Sequence, residues 1–268
     1  MVTIMLLEIF TNLNPIYQAL IAGLFTWGVT ALGSGIVFCF KVVNKNIMDA
    51  LLGFSGGVMI AASFWSLLSP AIDIADNLDM ISWLVVLCGF ISGGLLLFIG
   101  DKLFPVVLSK KYNFNLKRCL LLVFSIVLHN IPEGLVIGFS FGAASLGISD
   151  ISIISAITLA IGIGLQNFPE GSAISLPLRR EGISRGKSFF YGQLSGAVEP
   201  ISAVIGVILV TKIQILLPFL LSFAAGAMIY VVVEELIPES QSNDKKDLMA
   251  LFTLLGFSVM MVLDVALG

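Results

Sequence analysis

Leu128-His129-Asn130-Ile131-Pro132-Glu133-Gly134 sits inside an apolar run, and the next apolar run carries a second copy, Leu165-Gln166-Asn167-Phe168-Pro169-Glu170-Gly171. In each copy the first polar residue and the glutamate are four apart, so on a helix they share one face a single turn from each other. The asparagine flanks that face. Proline lacks an N–H and clashes with the carbonyl four residues back, here those of Leu128 and Leu165, which kinks the helix beside the polar cluster. In lipid, a carbonyl freed in this way needs protein, water or a bound ion.

The surroundings of the two copies show why lipid is the relevant solvent. Of 268 residues, 58% are hydrophobic and only 12% charged, and the mean hydropathy is +1.06. Soluble domains run about 45–50% apolar and about 25% charged. Runs of about 20 apolar residues suffice to span a bilayer, and eight are legible: 16–40, 47–70, 81–103, 119–143, 151–178, 187–211, 214–237 and 247–267. The fold class expected is an all-α membrane protein of eight transmembrane helices, a single domain over residues 1–268. The apolar start, Met1–Phe10, has no Lys or Arg before it and reads as a lead-in to the first span rather than a signal peptide.

Thirteen of the fourteen Lys and Arg residues fall in the loops after spans 1, 3, 5 and 7; Lys212 alone lies opposite. Positive residues favour the cytoplasmic side, so both termini are expected outside a cytoplasmic membrane. The net charge of −3 gives no footprint for nucleic acid. Cys39, Cys88 and Cys119 show no paired spacing and read as small apolar residues in helix packing.

A weaker repeat relates Phe54-Ser-Gly-Gly57-Val-Met59-Ile60 in span 2 to Phe223-Ala-Ala-Gly226-Ala-Met228-Ile229 in span 7. These spans cross the membrane in opposite senses, so spans 1–3 and 6–8 are expected to form an inverted repeat around spans 4 and 5. Inverted repeats are common in secondary transporters, with the site at their interface near the midplane.

Glu133, Glu170 and Glu199 (in Ser195-Gly-Ala-Val-Glu199-Pro200) all fall within spans, and spans 4, 5 and 6 carry no Lys or Arg in their interiors. An ionised side chain at the bilayer centre costs roughly 2.5–3.5 kcal/mol on insertion scales. Three of them, at about 8–10 kcal/mol together, rival the stability of a whole domain. Protons or a metal cation must offset that. One imidazole with carboxylates and amides, and no thiolate, suits divalent ions such as Zn²⁺, Fe²⁺ or Mn²⁺, and two facing glutamates can bridge a pair of ions. His129 is the chain's one histidine.

Other polar residues suggest a path. Asp73, Asp76 and Asp79 line the loop after span 2. Ser66 either touches the site or bonds its own helix backbone. Asp101, Glu234, Glu235 and Glu239 lie near the cytoplasmic ends of spans 3 and 7, as an exit or as ordinary helix-end charges. Asp264 in span 8 has no evident partner.

Two other functional classes compete. Gly53-Phe54-Ser55-Gly56 matches the short G-x-S-G of an intramembrane serine protease, with His129 as the base, but that leaves the duplicated glutamates unexplained. A metal-gated channel or sensor would need the same intramembrane cation site as a carrier.

The duplicated motif, the Ser-Gly-x-x-Glu-Pro stretch of span 6 and Gly226-Ala-Met-Ile-Tyr-Val-Val-Val-Glu-Glu-Leu-Ile-Pro-Glu239 of span 7 together resemble the ZIP family of divalent metal transporters, most closely its bacterial GufA-like branch. The resemblance covers essentially the whole chain. It implies a ZIP-like bundle, not an enzyme, that moves Zn²⁺ above all, with Cd²⁺, Fe²⁺ and Mn²⁺ as further candidates, into the cytoplasm as a homodimer. It further implies a binuclear centre: His129, Glu133, Gln166 and Glu170 at one site, Asn130, Asn167 and Glu199 at the other, with Glu133 and Glu170 bridging. Many relatives carry histidine where this chain has Gln166, which favours a broader divalent specificity. The loop between spans 3 and 4 contains no histidine, so no histidine-rich sensor is expected there.

Overall fold

The computed structural model describes residues 9–39, 44–108, 114–147, 151–180, 182–242 and 244–267. For 104–108, 114–126, Leu128, His129, Arg180 and Leu267 only the backbone is described. The lead-in expected over Met1–Phe10 falls mostly outside these residues.

Among the described residues there are no strands, and eight long helices follow one another: α1 (Pro15–Cys39), α2 (Lys45–Asn77), α3 (Ser82–Leu108), α4 (Phe114–Ser145), α5 (Ile153–Arg180), α6 (Arg185–Lys212), α7 (Gln214–Ser240) and α8 (Lys246–Leu267). Seven are long and apolar enough to cross a membrane by the described residues alone. The eighth, α4, coincides with the predicted span 119–143 and is partly outside the described side chains. Local chemistry sets the ends. Asn44 caps α2 by accepting from the Asn46 N–H at 2.9 Å, and Ser184 caps α6. α5 closes with the Ile183 N–H reaching back to the Leu178 carbonyl at 3.2 Å, which requires Gly182 at φ 88°.

Two predicted spans differ in detail. Span 2 was expected to end near 70 but continues to Asn77. Pro70 does not stop the helix; the chain absorbs the lost N–H by widening into a π-helical turn over Ser63–Leu68, where Ser69 N–H bonds the Phe64 carbonyl. Asp73 and Asp76 therefore lie on the last turns of a helix, not in a loop, and both are exposed. Span 6 is interrupted: Arg185–Gly196 and Glu199–Lys212 are separate helical segments joined at Ala197–Val198.

The inverted repeat is visible in the packing. The most extensive pairings join α1 with α5, α4 with α6, α2 with α8, and α3 with α7. Exchanging 1 with 6, 2 with 7, 3 with 8 and 4 with 5 turns each pairing into another of the set. The relation holds residue by residue. Gly57 of α2 lies against the Thr253 carbonyl of α8, and Gly226 of α7 against the Phe90 carbonyl of α3; reciprocally, Gly256 meets the Phe54 carbonyl and Gly93 the Phe223 carbonyl. A Cβ at any of these four would collide with backbone. Such close approach between helices is how apolar spans gain packing energy in lipid, which offers no hydrophobic driving force. A π-helical turn recurs in α7 at Val232–Leu236, before Pro238, at the same separation from Ser63–Leu68 as Gly226 has from Gly57.

The result is two four-helix groups, α1/α4/α5/α6 and α2/α3/α7/α8, meeting chiefly where α2 packs on α5 and α7 on α4. The buried core includes Met59, Leu67, Phe139, Phe141, Leu159 and Ile163. α3 and α8 expose large apolar residues such as Trp83, Leu95, Leu254 and Val262. Cys39 and Cys88 are exposed too, so they do not serve helix packing as expected. On a lipid-facing surface a small apolar side chain needs no protein partner. Cys119 lies outside the described side chains.

Candidate metal site

α4, α5 and α6 bring Asn130, Glu133, Gln166, Asn167, Glu170 and Glu199 together, all buried. Pro132 and Pro169 lie within continuous helices, so the duplicated motifs keep their glutamate and amide on one face as the spacing required. The side chain of His129 lies outside the described residues, although its backbone is helical in α4.

The amides organise the carboxylates. Asn130 Nδ2 donates to Glu199 Oε1 at 3.0 Å and Asn167 Nδ2 to Glu199 Oε2 at 2.8 Å, so both oxygens of that carboxylate are held. Gln166 Nε2 donates to Glu133 Oε1. Ser55 Oγ, from α2, donates to Glu170 Oε1 and to the Gln166 carbonyl, each at 3.4 Å. From α1, Thr30 Oγ1 reaches Glu199 Oε1 at 3.4 Å, and the Thr26 carbonyl accepts from Asn167 Nδ2 at 3.4 Å. Among the described residues every donor to the three carboxylates is thus an amide or a hydroxyl; no Lys or Arg neutralises them.

Each donated N–H leaves the other end of its amide free. Asn130 Oδ1, Gln166 Oε1 and Asn167 Oδ1, together with Glu133 Oε2, are buried and have no hydrogen-bond partner among the described residues. A buried acceptor without a partner costs about 1–3 kcal/mol, so four cost about 4–12 kcal/mol, on the scale of a domain's whole stability. A set of converging oxygens left open in this way is a receptor for a cation or its water. Among the described residues no three His, Cys, Asp or Glu side chains form a ready ligand set by themselves; three of the four open oxygens come from amides.

Several sequence expectations change. Ser66 neither touches the site nor bonds its own helix: its hydroxyl donates to Asp264 Oδ1 at 2.7 Å, joining α2 to α8. That gives Asp264 the partner it lacked in the sequence. Tyr230 hydrogen-bonds Asp101 across α3 and α7, and Glu235 lies within electrostatic range of Glu170. Glu234 and Glu239 are exposed, as helix-end charges are. Ser55 is bonded to a site carboxylate, and nothing in the structure supports the protease or the channel reading.

Thr26, Thr30 and Ser55 contact the site and were not expected there. Thr26, Thr30 and Ser34 stand four apart in an apolar span, a polar stripe that the sequence did offer as a signal. Ser34 Oγ bonds the Gly171 carbonyl at 3.0 Å, next to the second motif.

A multi-pass helical bundle built as an inverted repeat, with a buried, cation-seeking oxygen cluster between its central helices, defines a membrane transporter of cations. Comparison with known proteins gives the family. A sequence model described as "ZIP Zinc transporter" matches residues 112–264. The chain is 36% identical over 332 residues to the zinc transporter ZIP11 of Xenopus tropicalis, covering 95% of this chain and 98% of that one. It is 34% identical over 258 residues to the zinc transporter ZIPB of Bordetella bronchiseptica (93% and 81% covered). To the zinc transporter GufA of Myxococcus xanthus it is 33% identical over 259 residues (93% and 98%). The chain belongs to the ZIP family, and it is a transporter of divalent metal cations.

Proposed function

We propose that this protein carries Zn²⁺, and with it related ions such as Cd²⁺, Fe²⁺ and Mn²⁺, into the cytoplasm across the cytoplasmic membrane. The observation that carries the reading is the set of four buried oxygens on Asn130, Glu133, Gln166 and Asn167 that have no partner among the described residues. They divide between two neighbouring positions. Glu133 and Gln166, with Glu170 and His129, make one; Asn130 and Asn167, with Glu199, make the other, and Glu133 and Glu170 bridge. Glu133 is in electrostatic contact with both Glu170 and Glu199, as bridging carboxylates must be. Two divalent ions bring four positive charges against three carboxylates, which removes the repulsion that the empty cluster bears. Neutral amide oxygens in place of further histidines suit several borderline-to-hard divalent ions.

Topology follows from the charge distribution, with loops rich in Lys and Arg inside and both termini outside; the direction of transport is the one that the family resemblance implies. Residues 1–268 act as one transporter domain. The resemblance to the family implies a homodimer, which mass photometry of the purified protein checks by giving a dimer or a monomer mass.

The deciding experiment is Zn²⁺ and Cd²⁺ uptake into proteoliposomes by wild type and Glu170→Ala at matched protein levels. Uptake that collapses at least about tenfold in the variant, a loss of about 1.4 kcal/mol or more, supports the site. Equal uptake by both proteins rejects it.

A further inference from the structure

We propose that Trp27 is a positioning residue of the metal site, acting through Glu199; the proposal rests on the assignment of Glu199 to that site. The argument starts from the interruption of α6. Pro200 has no N–H, and its ring excludes the carbonyl four residues back, that of Gly196. The chain turns at Ala197–Val198, and the Ala197 N–H bonds the Leu194 carbonyl at 3.2 Å, one residue short of the regular helical partner. The Gln193 carbonyl, which a continuous helix would pair with Ala197, is set free.

In a membrane span such a carbonyl must find another donor. Trp27 Nε1 supplies it, donating to the Gln193 carbonyl at 2.8 Å and lying 3.2 Å from Gln193 Oε1. The Gln193 amide in turn donates to the Phe190 carbonyl at 3.2 Å. The indole therefore stabilises the broken form of α6 over the continuous one.

Trp27 belongs to a face of α1 that follows the break over two turns. A Cβ on Gly23 would stand 2.7 Å from Pro200 Cα, and a Cβ on Gly196 would stand 2.9 Å from both Thr30 Oγ1 and Glu199 Oε1. Positions 23, 26, 27 and 30 share one helical face. Glu199 is the first residue of the segment beyond the break, so its direction is the direction in which that segment starts. Its carboxylate then meets Thr30 on one side and the amides of Asn130 and Asn167 on the other, and those bonds turn the two amide oxygens towards the ion. Without the indole N–H, the Ala197 N–H can return to Gln193, the helix winds through, and Glu199 leaves its three donors.

The test uses the purified full-length protein and Cd²⁺ alone, with affinity measured by calorimetry for wild type, Trp27→Phe, Glu199→Gln and the double variant. Trp27→Phe keeps the ring and removes the donor. The expected result is Cd²⁺ binding weakened about three- to tenfold, as loss of one hydrogen bond predicts, and no further weakening when Trp27→Phe is added to Glu199→Gln. Equal losses in both backgrounds mean that Trp27 acts structurally, and they overturn the proposal, as does wild-type affinity in Trp27→Phe. Wild-type affinity in Glu199→Gln instead removes Glu199 from the site and the proposal with it, an outcome read from that variant alone. If Trp27→Phe does not fold, benzothienylalanine at position 27, of indole size but without the N–H, gives the same comparison.

Discussion

Gln166 donates its side-chain N–H to Glu133 across the interface of α5 and α4, while the oxygen of the same amide is buried without a partner among the described residues. In the proposed site this amide fixes a bridging carboxylate and presents a neutral oxygen to the ion. An imidazole at this position would present nitrogen, which borderline ions such as Zn²⁺ prefer over hard ones such as Mn²⁺. Gln166→His is expected to raise the preference for Zn²⁺ over Mn²⁺ by at least about threefold. Competition uptake in proteoliposomes reads it directly; an unchanged ratio means that Gln166 does not face the ion.

Ser55 links the two helix groups through its bond to Glu170. Removing one such hydrogen bond costs about 0.5–1.5 kcal/mol. Ser55→Ala should weaken apparent metal affinity by about two- to tenfold and leave transport measurable at saturating metal. Complete loss of transport in a folded Ser55→Ala protein would contradict this supporting role.

The four glycines that bring α2 onto α8 and α7 onto α3 make a symmetrical prediction. Gly57→Leu and Gly226→Leu each drive a side chain into a neighbouring backbone carbonyl, and overpacking of this kind costs about 1–3 kcal/mol or more. Both variants should lose thermal stability by similar amounts, measured by fluorescence-detected size exclusion. Gly28→Leu, where nothing lies within 4 Å of the added Cβ, is the control and should lose little. A stable Gly57→Leu beside an unstable Gly226→Leu would break the symmetry.

Metal should stabilise the fold, because the open oxygens and the clustered carboxylates are relieved together. At Cd²⁺ a hundred times its dissociation constant the gain is about 2.7 kcal/mol. A thermal-shift assay should show the midpoint rising with Cd²⁺ in wild type and staying flat in Glu133→Ala. A rise of equal size in Glu133→Ala would place the bound ion elsewhere.

Much of this site could be read before any coordinates. The fourfold spacing in the two motifs places His129 with Glu133, and Gln166 with Glu170, on helical faces, and the cost of burying Glu133, Glu170 and Glu199 without Lys or Arg demands a cation. The bond from Ser66 to Asp264 was illegible, because it joins residues of α2 and α8 that no periodicity relates. Ser55 was legible as an unusual serine but pointed to the wrong chemistry, since a four-residue motif does not say what lies opposite it. The predicted span 2 stopped near residue 70, whereas the helix runs on to Asn77 past a π-helical turn that takes up the missing Pro70 N–H.

By itself the sequence determined the solvent, the succession of apolar helical spans, and the residue types gathered at the site. Each of these follows from local quantities: the transfer energy of side chains and the pitch of a helix. The tertiary structure decided which atoms are left open. It pairs α1 with α5 and α6, so that Thr26, Trp27 and Thr30 hold the break before Glu199. It also turns the amides of Asn130, Gln166 and Asn167 so that their N–H groups meet carboxylates and their oxygens meet no partner among the described residues. Those outcomes depend on which helices touch, and contact between distant segments is set by packing over the whole bundle.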